Sequence, residues 1–172
     1  MQIFGTYLLL FVSGMFVYLA FRNKKVTSHT ERFISQVQAL DSIVIENVRL
    51  RYWRKRGLQY FIDPTNRCDL YLFHNCLAVV RKKNNILKVC FAPILITSDI
   101  QSATTDFPYL YIYQPTLIRF KKIVEGEIDF IAKGTMYNSY AIDFSLKGLT
   151  KEQTAQLEKI KNWVDVCVQK TG

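Results

Sequence analysis

Nineteen consecutive residues without a charge, 3–21, constrain this chain more than any other feature. As a helix rising about 1.5 Å per residue they reach about 28 Å, close to the hydrocarbon thickness of a bilayer. Tyr7 and Tyr18 are placed to meet the two interfaces. A secretory signal peptide is the rival reading. It is disfavoured because no Lys or Arg precedes the run, the run exceeds the usual apolar core of a signal, and no small-residue cleavage site follows. The run ends in Phe21-Arg22-Asn23-Lys24-Lys25, with basic residues on the C-terminal side alone. The positive-inside bias therefore predicts a retained single-pass anchor with residues 22–172 in the cytoplasm.

The remaining residues are rich enough in apolar and aromatic side chains to build a core: 49% of the chain is hydrophobic and 14% aromatic, which excludes a disordered tail. Charge is unevenly spread. Residues 22–83 carry 13 Lys/Arg against 5 Asp/Glu, a net of +8, whereas residues 84–172 carry 10 against 9, a net of +1. The basic half is the one that follows the anchor.

Thr27 begins a stretch that reads as a helix to residue 40, with Ser28-x-x-Glu31 in the form of a capping box. Val26, Thr30, Phe33, Val37, Leu40 and Val44 follow a heptad spacing, which predicts either a face packed on the chain's own domain or a short seam pairing two chains. Val48, Leu50 and Tyr52 alternate with Asn47, Arg49 and Arg51 as in a strand. Asp63-Pro64-Thr65-Asn66 has the composition of a turn, and residues 98–108 read as the longest polar loop. Between and after them come strands over residues 68–73, 77–82, 87–97, 109–123, 127–133 and 139–146, with turns at His74-Asn75-Cys76, Asn84-Asn85 and Glu125-Gly126. Thr150-x-x-Gln153 opens a last helix whose Leu157, Ile160, Trp163, Val164, Cys167 and Val168 share one face.

Six or seven antiparallel strands closed by one amphipathic helix describe a small barrel with a helical plug. This order resembles the pleckstrin-homology-like fold, in its bacterial membrane-anchored form. The residues that carry the likeness are Asp69-Leu70-Tyr71-Leu72-Phe73 leading into Leu77-Ala78-Val79-Val80, and the tail from Thr150 to Val168. Trp163 sits where that fold usually packs a helix tryptophan on the barrel mouth. The expected class is thus α+β, mainly β. Its parts are an anchor with basic flank (1–25), a juxtamembrane helix (26–44), and a PH-like barrel of about seven strands with its C-terminal helix (45–172).

The resemblance implies a binding or scaffolding module that displays loops to lipid or protein and is not an enzyme. In lipid-binding members the ligand meets basic residues near the first two strands. Here that region holds Arg49, Arg51, Arg54, Lys55, Arg56 and Arg67, the candidate site for anionic lipid or a protein partner. The plainer reading of these residues is a solvated strand obeying the positive-inside bias. Tyr52, Trp53 and Tyr60 interleave with the charges, yet no nucleic-acid-binding motif accompanies them, so no nucleic acid is expected. The alternatives to a binding module are a structural subunit of a membrane complex, homo-oligomeric through the juxtamembrane helix, and, as the lesser of the two, an anchored enzyme with a site not legible in the sequence.

Chemistry has few candidates. Cys68, Cys76, Cys90 and Cys167 contain no C-x-x-C pair and read as free thiols, and Cys68, His74 and Cys76 lack a fourth ligand for zinc. Two histidines, no G-x-S-x-G and no glycine-rich phosphate loop leave no legible active site. Asp129 and Asp143 fall on neighbouring strands as the one carboxylate pair, and Tyr109, Tyr111 and Tyr113 share strand parity as a tyrosine row. No cofactor and no metal are expected.

Overall fold

The structure is a computed structural model. It describes residues 2–56, 59–82, 91–120, 126–134 and 141–163, with the backbone alone at 2–5, 52–56 and 59–66. Its elements are α1 (Gln2–Gln38), β1 (Ile43–Arg56), β2 (Gln59–Phe73), β3 (Cys76–Arg81), β4 (Ile94–Thr97), α2 (Ile100–Asp106), β5 (Tyr111–Phe120), β6 (Ile128–Gly134), β7 (Ala141–Lys147) and α3 (Lys151–Leu157), the last continued by a 3-10 turn (Glu158–Ile160). The seven strands close into one barrel in sequence order. The expected mainly-β barrel with a long apolar helix before it and a short helix after it is what the chain forms.

Alternation builds the barrel interior. Val48 and Leu50 of β1, Cys68, Leu70 and Leu72 of β2, Leu77 and Val79 of β3, and Ile142, Phe144 and Leu146 of β7 all point inward and are buried. Phe130 and Phe144 stack at 4.8 Å between centroids, as neighbours across β6 and β7. A Phe at this depth contributes on the order of 2–3 kcal/mol by area burial. Leu157, Ile160 and Trp163 complete the same core, so the C-terminal segment is the expected plug. Its start is fixed by a complete capping box: the Gln153 amide donates to Thr150 Oγ1 at 3.2 Å and the Thr150 amide donates to Gln153 Oε1 at 2.9 Å. Val164, Cys167 and Val168 of the expected helix face lie outside the described residues, as do Cys90, Cys167 and the Asn84-Asn85 turn.

Four expectations are corrected. First, no helix begins at Thr27: α1 is one helix of 37 residues that runs through the expected boundary, so Ser28 caps nothing. Second, Asp63-Pro64-Thr65-Asn66 lies within β2. The ladder skips there from Leu50↔Asn66 to Tyr52↔Asp63, and this bulge leaves Pro64, which has no N–H, out of the pairing. Third, residues 98–108 are not a polar loop, because α2 forms within them. Asp99 caps α2 by accepting from the Ser102 amide, and Ala103 gives it a buried contact. Fourth, the barrel is not wholly antiparallel: β4 and β5 run parallel. A parallel pair needs a crossover from one end of the barrel to the other, and α2 supplies it.

A second core lies outside the barrel. Phe33 and Val37 of α1 are fully buried against Tyr71, Phe73, Ala78, Val80 and Leu95, with Ala103, Phe107, Leu110 and Ile112 alongside. These outward residues of β2, β3 and β4 are apolar because α1 and α2 cover them. The heptad face of residues 26–44 is therefore spent in part on the chain's own barrel, although Val44 stays 43% exposed. Toward the N-terminus the same helix leaves the barrel. Tyr7, Leu9, Phe11, Phe16, Tyr18 and Phe21 are all exposed, between 64% and 72%. Among the described residues α1 is the helix long and apolar enough to cross a membrane.

Candidate functional site

The strand directions give the barrel two distinct ends. β1 begins beside the turn of β2 and β3, with Ile43 opposite Leu72, and runs away from it. At that same end lie Asp41, His74, Asn75, Lys159 and Trp163 around one cleft, so this is the plug end. The opposite end holds the close of β1, β3 and β6 and the start of β2, β4, β5 and β7. There Tyr18, Arg22, Lys25 and His29 of α1 line a hollow with Ala92 and with Pro108 and Tyr111 before and in β5. The apolar half of α1 thus departs from this end, the root end.

Tyr109 clamps α1 along this path. Its ring lies 5.3 Å from the His29 ring and 4.9 Å from the Arg32 guanidinium carbon, and its hydroxyl donates to Gln36 Oε1. Burial pushes its phenol pKa upward, against the opposing pull of Arg32. The expected tyrosine row is not a row: Tyr109 meets α1, Tyr111 at the root end is 53% exposed, and Tyr113 is buried in the inner core.

The basic candidates divide into two groups. Arg49 of β1 stands between Arg67 on β2 and Lys147 on β7, three cations in one cross-strand line. Like charges placed so are destabilising unless each finds a counter-group. Arg67 donates to Asn47 Oδ1 at 3.0 Å and Lys147 pairs with the buried Glu127 at 2.8 Å. Asn47 can turn toward them because it sits at a bulge with φ 61°, its own amide donating to Asp69 Oδ1 at 2.8 Å. Arg49 and Arg51 are both exposed on the outer face. Arg54, Lys55 and Arg56 continue β1 toward the root end, where their backbone pairs with Phe61, Tyr60 and Gln59; their side chains lie outside the described residues. Arg49, Arg51, Arg54, Lys55 and Arg56 thus follow β1 to the root end, and Arg67 lies beside Arg49 on β2.

Sequence reasoning missed the other cations of that end. Arg81, which closes β3, lies 3.8 Å over the Phe91 ring; Lys82 pairs with Asp69 at 3.1 Å; Lys133 is exposed near the close of β6. The described strand termini there, residues 54–56, 59–62, 81–82, 91–93, 133–134 and 141, hold six Lys or Arg and no Asp or Glu. The signal was present in the composition of those stretches, but only the strand directions bring them to one end.

Of the remaining chemical candidates, the two described thiols are separated. Cys68 faces the inner core while Cys76 packs on the outer one. Burial pushes the Cys68 thiol up to about 12, with Asp69 adding to the rise. Asp129 accepts a hydrogen bond from Ser145 Oγ at 2.7 Å, and Asp143 is paired two residues further along with Ile131. Among the described residues no group of His, Cys, Asp and Glu could hold a metal ion. Compared with known proteins, the chain matches no family model, and no curated protein matches it.

Proposed function

We propose that the chain is a single-pass membrane-anchored binding module, with its barrel standing root end down on the cytoplasmic face and its basic residues there engaging anionic lipid headgroups. The observation that carries this is the continuity of α1: the apolar stretch and the docked stretch are one helix, with no linker between them. A helix exposing aromatic and aliphatic side chains on every side is a membrane span or a buried core helix, and here that surface is uncovered. With the apolar half in the bilayer, Arg22, Lys24 and Lys25 lie at its surface and the root end of the barrel lies beside them.

Each Lys or Arg near an anionic surface contributes about 1 kcal/mol. The anchor removes the cost of bringing the barrel to the membrane, so a modest patch acts at high effective concentration. The acidic residues of the plug end, among them Asp41, Asp99, Asp106, Glu152 and Glu158, would face away from the bilayer under this orientation. A seven-stranded barrel plugged by a helix bearing the buried Trp163 supports the pleckstrin-homology-like reading, and the parallel β4–β5 pair is where this chain departs from a wholly antiparallel version. The structural-subunit alternative draws less support, because Phe33 and Val37 are already buried within the chain.

The two tryptophans report on the two ends. With the full chain in nanodiscs containing brominated lipid, Trp53 of β1 should be quenched more strongly than Trp163, and more in phosphatidylserine discs than in phosphatidylcholine discs. The combined Arg54→Glu, Lys55→Glu, Arg56→Glu variant should remove that difference, as should about 1 M salt, which shortens screening to about 3 Å. Equal quenching in neutral and anionic discs would overturn the lipid reading and leave a protein partner for these residues.

A further inference from the structure

A groove of about 600 Å³ opens beside the C-terminal end of the docked helix, at the plug end. Leu40 just after α1, Phe73 at the close of β2, and Ala103 and Phe107 of and after α2 give it an apolar floor. Asp99 and Asp106 stand on its rim at the two ends of α2. Asp99 spends one oxygen on the Ser102 amide at 3.4 Å, and Asp106 takes a long bond from Ser102 Oγ at 3.5 Å. No described cation pairs with either carboxylate, in a chain whose net charge is +9.

We infer that this groove receives a segment of a partner protein that sets an apolar side chain on the Phe73–Phe107 floor and a lysine or arginine against Asp99 and Asp106. The floor supplies the burial that anchors recognition, and the two carboxylates supply its polarity. Charge selects the occupant: a cation next to an apolar group satisfies both parts of the groove, whereas an anionic segment or an anionic headgroup is repelled. The rigid surroundings favour recognition without rearrangement, because β2, β4, α1 and α2 all pack into the outer core beneath it. This inference does not rest on the lipid reading, since the groove and the root end lie at opposite ends of the barrel.

The test places a benzophenone amino acid at Asn75 or at Ser102, both on the rim, in the full chain expressed in its own membranes. After irradiation, mass spectrometry reads the crosslinked peptide. The expected product is one recurrent segment of another protein with an apolar residue beside Lys or Arg. A synthetic copy of that segment should bind the full chain in nanodiscs, and Asp99→Asn with Asp106→Asn should weaken it about tenfold or more. Asp106→Lys should bind a copy whose cation is replaced by Glu at least as well as the original copy. Crosslinks only to residues 164–172 of the same chain, only to a second copy, only to lipid, or to nothing would each overturn the inference, as would unchanged binding in the double variant.

Discussion

Phe33 of α1 meets Phe107 edge to face, with ring centroids 5.6 Å apart and planes at 62°. The contact joins a helix that carries the apolar stretch to the residue that ends α2, and Phe73 completes the trio at 6.2 Å from Phe33 and 5.8 Å from Phe107. Edge-to-face pairs contribute about 0.5–1.5 kcal/mol beyond their area. Through this trio the barrel is fixed to the helix itself.

Phe33→Ala should therefore undock the helix while sparing the barrel. A buried Phe→Ala change costs about 3–5 kcal/mol, and here the loss falls on the outer core. Hydrogen exchange should quicken across residues 26–38 and 100–107 while β6 and β7 keep their protection. Uniform loss of protection would show that the two cores fold as one unit.

Gly126 and Gly148 look alike in conformation, with φ +74° and +71°, yet should respond differently to alanine. A Cβ at Gly126 would lie 2.1 Å from the Leu149 carbonyl oxygen, whereas at Gly148 nothing lies within 4 Å. Gly148→Ala should cost about 1–2 kcal/mol from backbone strain alone. Gly126→Ala should cost clearly more, because it also breaks the bond from the Leu149 amide to the Gly126 carbonyl, 3.1 Å in length. Denaturant midpoints of the two variants decide the order.

Cys68 makes stability fall at high pH. Its thiol is raised from 9.0 to about 12 in the fold, chiefly by burial. Below about 9 the unfolded chain also holds the proton and nothing is lost. From there toward 12 the unfolded chain releases a proton that the folded chain keeps, so stability declines by up to about 1.4 kcal/mol per pH unit. Burial raises the Tyr71 phenol too, which adds a decline in the same direction. Cys68→Ala should flatten the slope in alkaline unfolding titrations, and in the wild-type chain at pH 8 iodoacetamide should reach Cys68 only through unfolding.

Thr150→Ala removes the capping hydroxyl and should cost about 1 kcal/mol. Exchange should quicken first at the amides of 151–157. Because Leu157 and Ile160 belong to the inner core, a fully frayed α3 would unplug the barrel, so Thr150→Ser should restore protection.

Which parts of this architecture could be read ahead of the structure follows from the range of the forces involved. The capping box at Thr150, the turn at His74-Asn75 and the alternation of β7 are local, and each appears as expected. Residues 98–108 misled because α2 exists to satisfy a non-local demand, the parallel pairing of β4 with β5. Pro64 misled because a bulge across β1 and β2 excuses it from the ladder. Arg49 and Arg67 were recognisable as basic residues near the first strands, but their neighbourhood with Lys147 depends on closure of β1 against β7. The groove floor could not be read at all, since Phe73 and Phe107 are 34 positions apart in the chain and meet only under α1.

The position of α1 relative to the bilayer decides the account. Spin labels placed singly at residues 8–37 of the full chain in liposomes would report collision with oxygen and with a water-soluble nickel complex. Residues 8–21 should favour oxygen on every face of the helix, the preference should reverse between Arg22 and Lys25, and sites 33 and 37 should be closed to both. Free access of nickel to residues 8–21 on all faces would contradict the membrane anchor and with it the lipid-facing role of the root end.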